Sequence, residues 1–122
     1  MTGHDYDVII VGAGPVGGHL GRVLSENGLH VLMLEEHKEV GKPFQCAGLV
    51  TPSAMNRVNL HHTILSDVWG ARIHSPGGRP VEIGQPSKIR THVVCRKLFD
   101  EGCVRQAIEA GATLWVDSKP TD

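Results

Sequence analysis

The apolar positions begin with an unbroken β-branched run, Tyr6–Val11 (YDVIIV). A run without alternation predicts a strand buried on both faces, as in a parallel sheet. From Pro15 to Glu26 the period becomes helical, with Leu20, Val23 and Leu24 on one face and the small Gly17 and Gly21 beside them. Asn27-Gly28 is a helix stop, and His30–Glu35 (HVLMLE) predicts a second strand. Pro52 opens a short helix with Thr51 as its N-cap. Beyond Leu60 the apolar runs shorten. Ala71–Ile83 predicts a β-hairpin around Ser75-Pro76-Gly77-Gly78, whose glycines supply positive φ. Thr91–Cys95 reads as a strand. Arg96–Ala110 reads as a helix with Leu98, Val104, Ala107 and Ile108 on its inner side, stopped by Gly111. Ala112–Val116 reads as a third parallel strand.

Strand, helix, strand and a later helix–strand pair predict an α/β fold, a Rossmann-like βαβ with a parallel sheet and an inserted β-hairpin. Sheets of this kind order their strands 3-2-1-4-5. The sequence supplies only the first three, so the sheet is expected to be incomplete, with Tyr6–Val11 as an open edge. That strand carries neither charge nor proline within VIIV, and an edge of this kind is a template for pairing with a second chain.

Composition narrows the functional classes. Apolar residues make up 40%, charged residues 20%, and the net charge is -1, which describes a folded globular chain and gives no footprint for nucleic acid. No apolar stretch approaches the ~20 residues of a membrane span. The start, MTGHDYDVII, lacks the features of a signal peptide. Three cysteines (Cys46, Cys95 and Cys103) without C-x-x-C spacing suit a reducing, cytoplasmic compartment. His61-His62 has no third ligand at metal spacing and reads as a surface pair, so no metal is expected. Cys95 and Cys103 read as packing residues.

The chemistry concentrates in GAGPVGG. Gly12, Gly14 and Gly17 form G-x-G-x-x-G between a strand and a helix, and the second strand ends in the acid Glu35 about twenty residues on. Each part has a mechanical task. Gly12 makes the tight turn, Gly14 lets a pyrophosphate approach the backbone, and Gly17 lets the helix pack on the strand. Pro15 costs the first helical turn no hydrogen bond. The helix N-terminus offers free N–H groups and partial positive charge to phosphates. Glu35 can accept hydrogen bonds from a ribose diol. Glu36 stands where a 2′-phosphate site would prefer arginine, so a 2′-phosphate is disfavoured. This unit alone fits the ADP moiety of either NAD or FAD.

One loop, Gly41–Val50 (GKPFQCAGLV), combines turn residues with a cysteine. Together with DVIIVGAGPVGG, the LEE strand end and VVCRKLFDEGCVRQAIEAGATLWV, it resembles the N-terminal part of the FAD-dependent geranylgeranyl reductases, within the para-hydroxybenzoate-hydroxylase-like flavoproteins. P-x-x-C followed by glycine marks the prenyl-reductase branch, whereas the glycine fingerprint is shared across the superfamily. The resemblance implies FAD as cofactor and reduction of isoprenoid double bonds in a lipid or small-molecule substrate. It implies that Val16 turns its backbone to the pyrophosphate and that Glu35 is the ribose ligand. Cys46, Ala47 and Gly48 would lie along the flavin, with Cys46 catalytic, and Arg96 would reach the ribityl-phosphate region. It further implies that residues 1–122 are the N-terminal part of an FAD-binding domain, with 60–92 as a β-rich insertion and the substrate domain absent. A lipid substrate brings peripheral membrane contact into the expectation.

Overall fold

The computed structural model describes residues 5–121. Met1–His4 of the N-terminal stretch and Asp122 lie outside the described residues. The chain divides into two compact units, one comprising Met1–Gln45 with Arg96–Asp122 and the other Cys46–Cys95.

In the first unit, strands β1 (Val8–Val11), β2 (Val31–Leu34) and, after the second unit, β8 (Thr113–Trp115) form a parallel sheet in the order β1-β2-β8. Ile10 pairs with Met33, and Met33 with Leu114. The expected 3-2-1 order is therefore present, with β1 at an edge of the described sheet. Helix α1 (Pro15–Glu26) matches the predicted span, and α3 (Arg96–Glu109) stops one residue short of it. Gly111 ends α3 at φ 116°.

Both helices pack on one face of the sheet, enclosing a core of Ile10, Ala13, Val31, Met33, Val40, Val104, Ala107 and Ala112. This corrects the expectation that the first strand is buried on both faces. Ile10 is buried, but Ile9 and Val11 are 58% and 67% exposed. An unbroken apolar run reports only that the strand is apolar; which face is covered depends on where the helices land.

The helix faces differ in part from the sequence reading: Val104 and Ala107 are buried as expected and Leu24 packs against the core, but other expected positions are not. α1 buries Gly18, Gly21 and Ser25, while Leu20 and Val23 are exposed. α3 buries Phe99, Gly102, Cys103, Val104 and Ala107, while Leu98 and Ile108 are exposed. The cause is close packing of the two helices on each other. A Cβ on Gly18 would stand 2.9 Å from the carbonyl carbon of Cys103, and one on Gly21 would stand 3.4 Å from the Ala107 Cβ. Glycines thus form the contact, and the bulky residues turn outward. The contacts advance together along both helices, so α1 and α3 run parallel, with their N-termini at the carboxyl ends of the strands.

The second unit holds β3 (Leu49–Val50), α2 (Pro52–Val58), a 3₁₀ turn at His61–Thr63, β4 (Ile64–Val68), β5 (Gly70–Ile73), β6 (Val81–Gly84) and β7 (Thr91–Val94). Strands β3, β7 and β4 form an antiparallel sheet, and β5 pairs with β6. That pairing sets Ala71 opposite Ile83, the predicted hairpin, and Gly77 takes φ 75° in its turn. Thr51 caps α2 as predicted, its Oγ1 accepting from the Ala54 amide at 3.2 Å. Met55, Val58, Leu60, Thr63 and Val94 are buried in this unit. The sequence reading missed β3 and β4, whose short runs carry no clear period.

Candidate nucleotide site

The glycine loop has the backbone its sequence demands. Gly12 adopts φ 100°, a conformation that L side chains rarely enter, and its amide donates to the Leu34 carbonyl at 2.7 Å. The loop is thereby tied to the end of β2. A Cβ on Gly17 would lie 2.0 Å from the Gly12 carbonyl oxygen and 3.3 Å from Ile10 Cγ2, so only glycine lets α1 start this close to β1. Gly14 differs. It is the N-cap of α1, and nothing lies within 4 Å of where its Cβ would be. No side chain caps the helix there. Gly18 N donates to Gly14 O at 2.8 Å, the first bond of the helix, so the Val16 and Gly17 amides precede any intrahelical partner. Pro15 occupies the first helical turn, and Val16 projects its side chain into solvent, 81% exposed.

Glu35 follows β2 and faces this loop. Its Oε2 accepts from the Ala13 amide at 3.0 Å, and its Oε1 accepts from the His37 amide at 3.2 Å. The His37 ring nitrogen Nδ1 lies 2.8 Å from the same oxygen. Burial pushes the Glu35 carboxyl up. The hydrogen bonds from the His37 ring and from the Ala13 and His37 amides, with the His37 charge, outweigh it, and the pKa falls below the ordinary carboxylate value. Glu35 is therefore ionised at neutral pH, the form that accepts hydroxyl hydrogen bonds. Glu36 is exposed, with Oε2 3.5 Å from Lys119 Nζ.

These residues surround a cavity of about 380 Å³ lined by Val11, Gly12, Leu34, Glu35, Glu36, Ser118, Lys119 and Pro120. The volume is within the range of about 300–1,000 Å³ for small-molecule sites. The fit to an ADP moiety rests on three features of this chain: open space in front of Gly14, helix amides without an intrahelical partner beside it, and an ionised acid in a cavity of ligand size.

Sequence reasoning missed three contributors. His37 orients Glu35. Ser118–Pro120 supply one wall of the cavity, placed by a backbone bond from Ser118 N to the Glu35 carbonyl at 2.9 Å. Asp100 engages Arg96, whose Nε and Nη2 donate to its two carboxylate oxygens at 2.9 and 3.1 Å. Only the last left a signal, the i,i+4 spacing of Arg96 and Asp100. Arg96 stands at the N-terminus of α3, at the same end of the unit as the α1 N-terminus. The Asp100 carboxylate fixes its guanidinium plane.

Cys46, Ala47 and Gly48 belong to the second unit. Cys46 and Ala47 are exposed, while Gly48 is buried at φ 76°, its carbonyl accepting from Val94 N at 2.8 Å. Cys103 has the opposite environment. It is buried against α1, and burial first, then the Asp100 charge, push its thiol up to about 11. That thiol is inert at neutral pH, as expected for a packing residue. His61 and His62 are both exposed, and no group of metal ligands occurs among the described residues.

This geometry defines a dinucleotide-binding α/β domain, and a family model described as an FAD binding domain matches residues 5–58. Digeranylgeranylglycerophospholipid reductase of Methanosarcina acetivorans is 35% identical over 120 residues, covering 95% of this chain and 30% of the relative. The enzyme of the same name from Methanocella arvoryzae is 36% identical over 121 residues, covering 96% and 31%. A solved geranylgeranyl bacteriochlorophyll reductase-like protein from Thermoplasma acidophilum superposes with a TM-score of 0.83 at 32% identity, covering 92% of this chain and 30% of that one. A halogenase solved with phloroglucinol and FAD, at TM-score 0.73 and 21% identity, shares the fold. The chain is a segment of the geranylgeranyl reductase family of FAD-dependent flavoproteins, and it spans about 30% of the length of the relatives it matches.

Proposed function

We propose that this chain supplies the ADP-holding part of an FAD-dependent prenyl reductase that saturates isoprenoid double bonds in a lipid. The observation that carries the proposal is the glycine loop of Gly12, Gly14 and Gly17 with an ionised Glu35 bonded to its Ala13 amide, beside a cavity of ligand size that Gly12 and Glu35 line. The α1 amides bind the pyrophosphate, Glu35 binds the ribose diol, and Arg96, held by Asp100, reaches the ribityl-phosphate region. When bound and reduced, FAD supplies the hydride for one alkene carbon, and a proton adds to the other. The loop residues Cys46, Ala47 and Gly48 would serve the flavin-ring side of the reaction, with Cys46 as the residue that would act on the alkene. The exposure of the Cys46 side chain supports this role over simple packing. The cytoplasm is the compartment this reading favours, with peripheral contact to a lipid surface. No helix among the described residues is long and apolar enough to cross a membrane.

In a full-length relative carrying this segment, Cys46→Ala is expected to lower the prenyl-reduction rate on the order of tenfold, about 1.4 kcal/mol in the barrier, while bound FAD holds constant. Equal turnover by the two proteins would reduce the cysteine to a loop residue.

The β1 edge adds a partner to the proposal. Ile9 and Val11 are exposed on a strand paired on one side only, and such an edge recruits another strand. The isolated chain is expected to self-associate. Light scattering at micromolar concentration checks this, and a stable monomer would remove the edge from the account.

A further inference from the structure

The stretch that leads to Cys46 is anchored within the first unit by three consecutive residues, each in a different way. Val40 is buried in the core, 7% exposed. Gly41 lies against α3, where a Cβ would stand 2.9 Å from Lys97 Cα and 3.1 Å from the Lys97 carbonyl oxygen. Glu39 is held by charge. Lys97 Nζ donates to Glu39 Oε1 and, at 2.5 Å, to Glu101 Oε1. Lys42 Nζ lies 3.4 Å from Glu39 Oε2. Beyond Gly41 nothing is buried until Gly48: Lys42 through Ala47 are exposed, Phe44 by 64%. The placement of that loop therefore depends on its anchors, and the one at Glu39 is ionic.

We propose that Lys97 is a positioning residue for the prenyl-reducing reaction: it pins Glu39, and with it the start of the loop that leads to Cys46, onto the first turn of α3 beside Arg96. The inference rests on the reading of Cys46 above and deepens it. An exposed ion pair ordinarily contributes little, because two long side chains must be ordered to make it. Here Glu101, one turn along the same helix, already holds the ammonium group, and the Lys97 side chain is only 22% exposed. Glu39 thus meets a lysine whose conformation is set. The hydrogen bond from Lys97 is the first cause that holds the Glu39 carboxyl below its ordinary value, and Glu101, then Glu39, push the Lys97 ammonium group above its own. Two neighbouring side chains leave the first turn of α3 for different tasks. Asp100 fixes the guanidinium of Arg96, and Glu101 fixes the ammonium group of Lys97.

The test is limited proteolysis of the chain by chymotrypsin, with turnover measured in a full-length relative carrying this segment. In Lys97→Met, cleavage after the exposed Phe44 is expected to quicken on the order of tenfold, while cleavage after the buried Phe99 keeps its rate. Glu39→Gln should do the same, and the double substitution should add little, because either change breaks the one pair. Lys97→Arg should restore most of the resistance. In the relative, Lys97→Met should lower kcat while KM and bound FAD hold. Unchanged cleavage after Phe44 in Lys97→Met overturns the proposal. Faster cleavage at both sites also overturns it, because the lysine would then support the fold and not the loop. A loosened loop with unchanged turnover, in a relative whose Cys46→Ala variant is slow, overturns the positioning role alone. Equal turnover by Cys46→Ala and the unsubstituted relative overturns the reading of Cys46, and this proposal with it.

Discussion

A Gly14→Val chain is expected to lose FAD binding while keeping its fold. The two halves of that result come from the same observation. Nothing lies within 4 Å of the position a Gly14 Cβ would take, and the backbone there, φ -91° and ψ -164°, is open to any residue. The folded chain therefore accepts the side chain without collision. Because no side chain caps α1, no capping bond is lost either. The stability change should stay within about 1 kcal/mol. The space that valine fills is the space in front of the first α1 amides, where a pyrophosphate must approach the backbone. The affinity is expected to fall at least about 100-fold, roughly 2.7 kcal/mol. Flavin titration followed by fluorescence measures the first half, and thermal melting the second. Equal affinity in the two chains would place the pyrophosphate elsewhere.

The second large effect is on stability. Gly18→Ala is expected to destabilise the first unit by about 2–4 kcal/mol. The added methyl would meet the Cys103 carbonyl carbon at 2.9 Å and the Val104 amide nitrogen at 3.0 Å. Both are backbone atoms of a helix, so relief requires α3 to move away from α1. Gly21→Ala is the natural contrast. Its methyl meets Met33 Sδ at 2.8 Å, the adaptable part of a flexible side chain, with the Ala107 Cβ next at 3.4 Å. Alanine also gains roughly 0.5–1 kcal/mol over glycine inside a helix. Gly21→Ala should thus lie within about 1 kcal/mol of the unsubstituted chain. Urea unfolding of the two variants decides the matter, and equal losses would mean that the helix contact is not the tight point.

These two glycines show where the sequence was legible. The βαβ start could be read because its signals are local: an apolar run, a glycine spacing, a proline at the first turn and an acid at a fixed distance. The inner faces of α1 and α3 could be read only in part: Val104 and Ala107 are buried as expected and Leu24 packs against the core, but the glycine contact was not foreseen. Hydrophobicity ranks Leu20, Leu98 and Ile108 as core residues, whereas these helices bury Gly18, Gly21 and Gly102 and turn those three bulky residues outward. The site divided the same way. Gly12, Gly14, Gly17 and Glu35 announce themselves by spacing. Ser118, Lys119 and Pro120 reach the cavity through the joined exits of β2 and β8, a contact between distant parts of the chain that leaves no local pattern.

Within the first unit, the chain leaves and re-enters beside the start of α3. Lys97 is paired with both Glu39 and Glu101, and a Cβ on Gly41 would stand 2.9 Å from Lys97 Cα. The place where the chain departs toward Cys46 therefore touches the place where it returns after Cys95. An excursion whose ends meet adds little closure entropy as it lengthens, since each doubling costs only about 0.6 kcal/mol. A change in its length therefore costs the first unit little, because its ends stay where Gly41 and Lys97 meet.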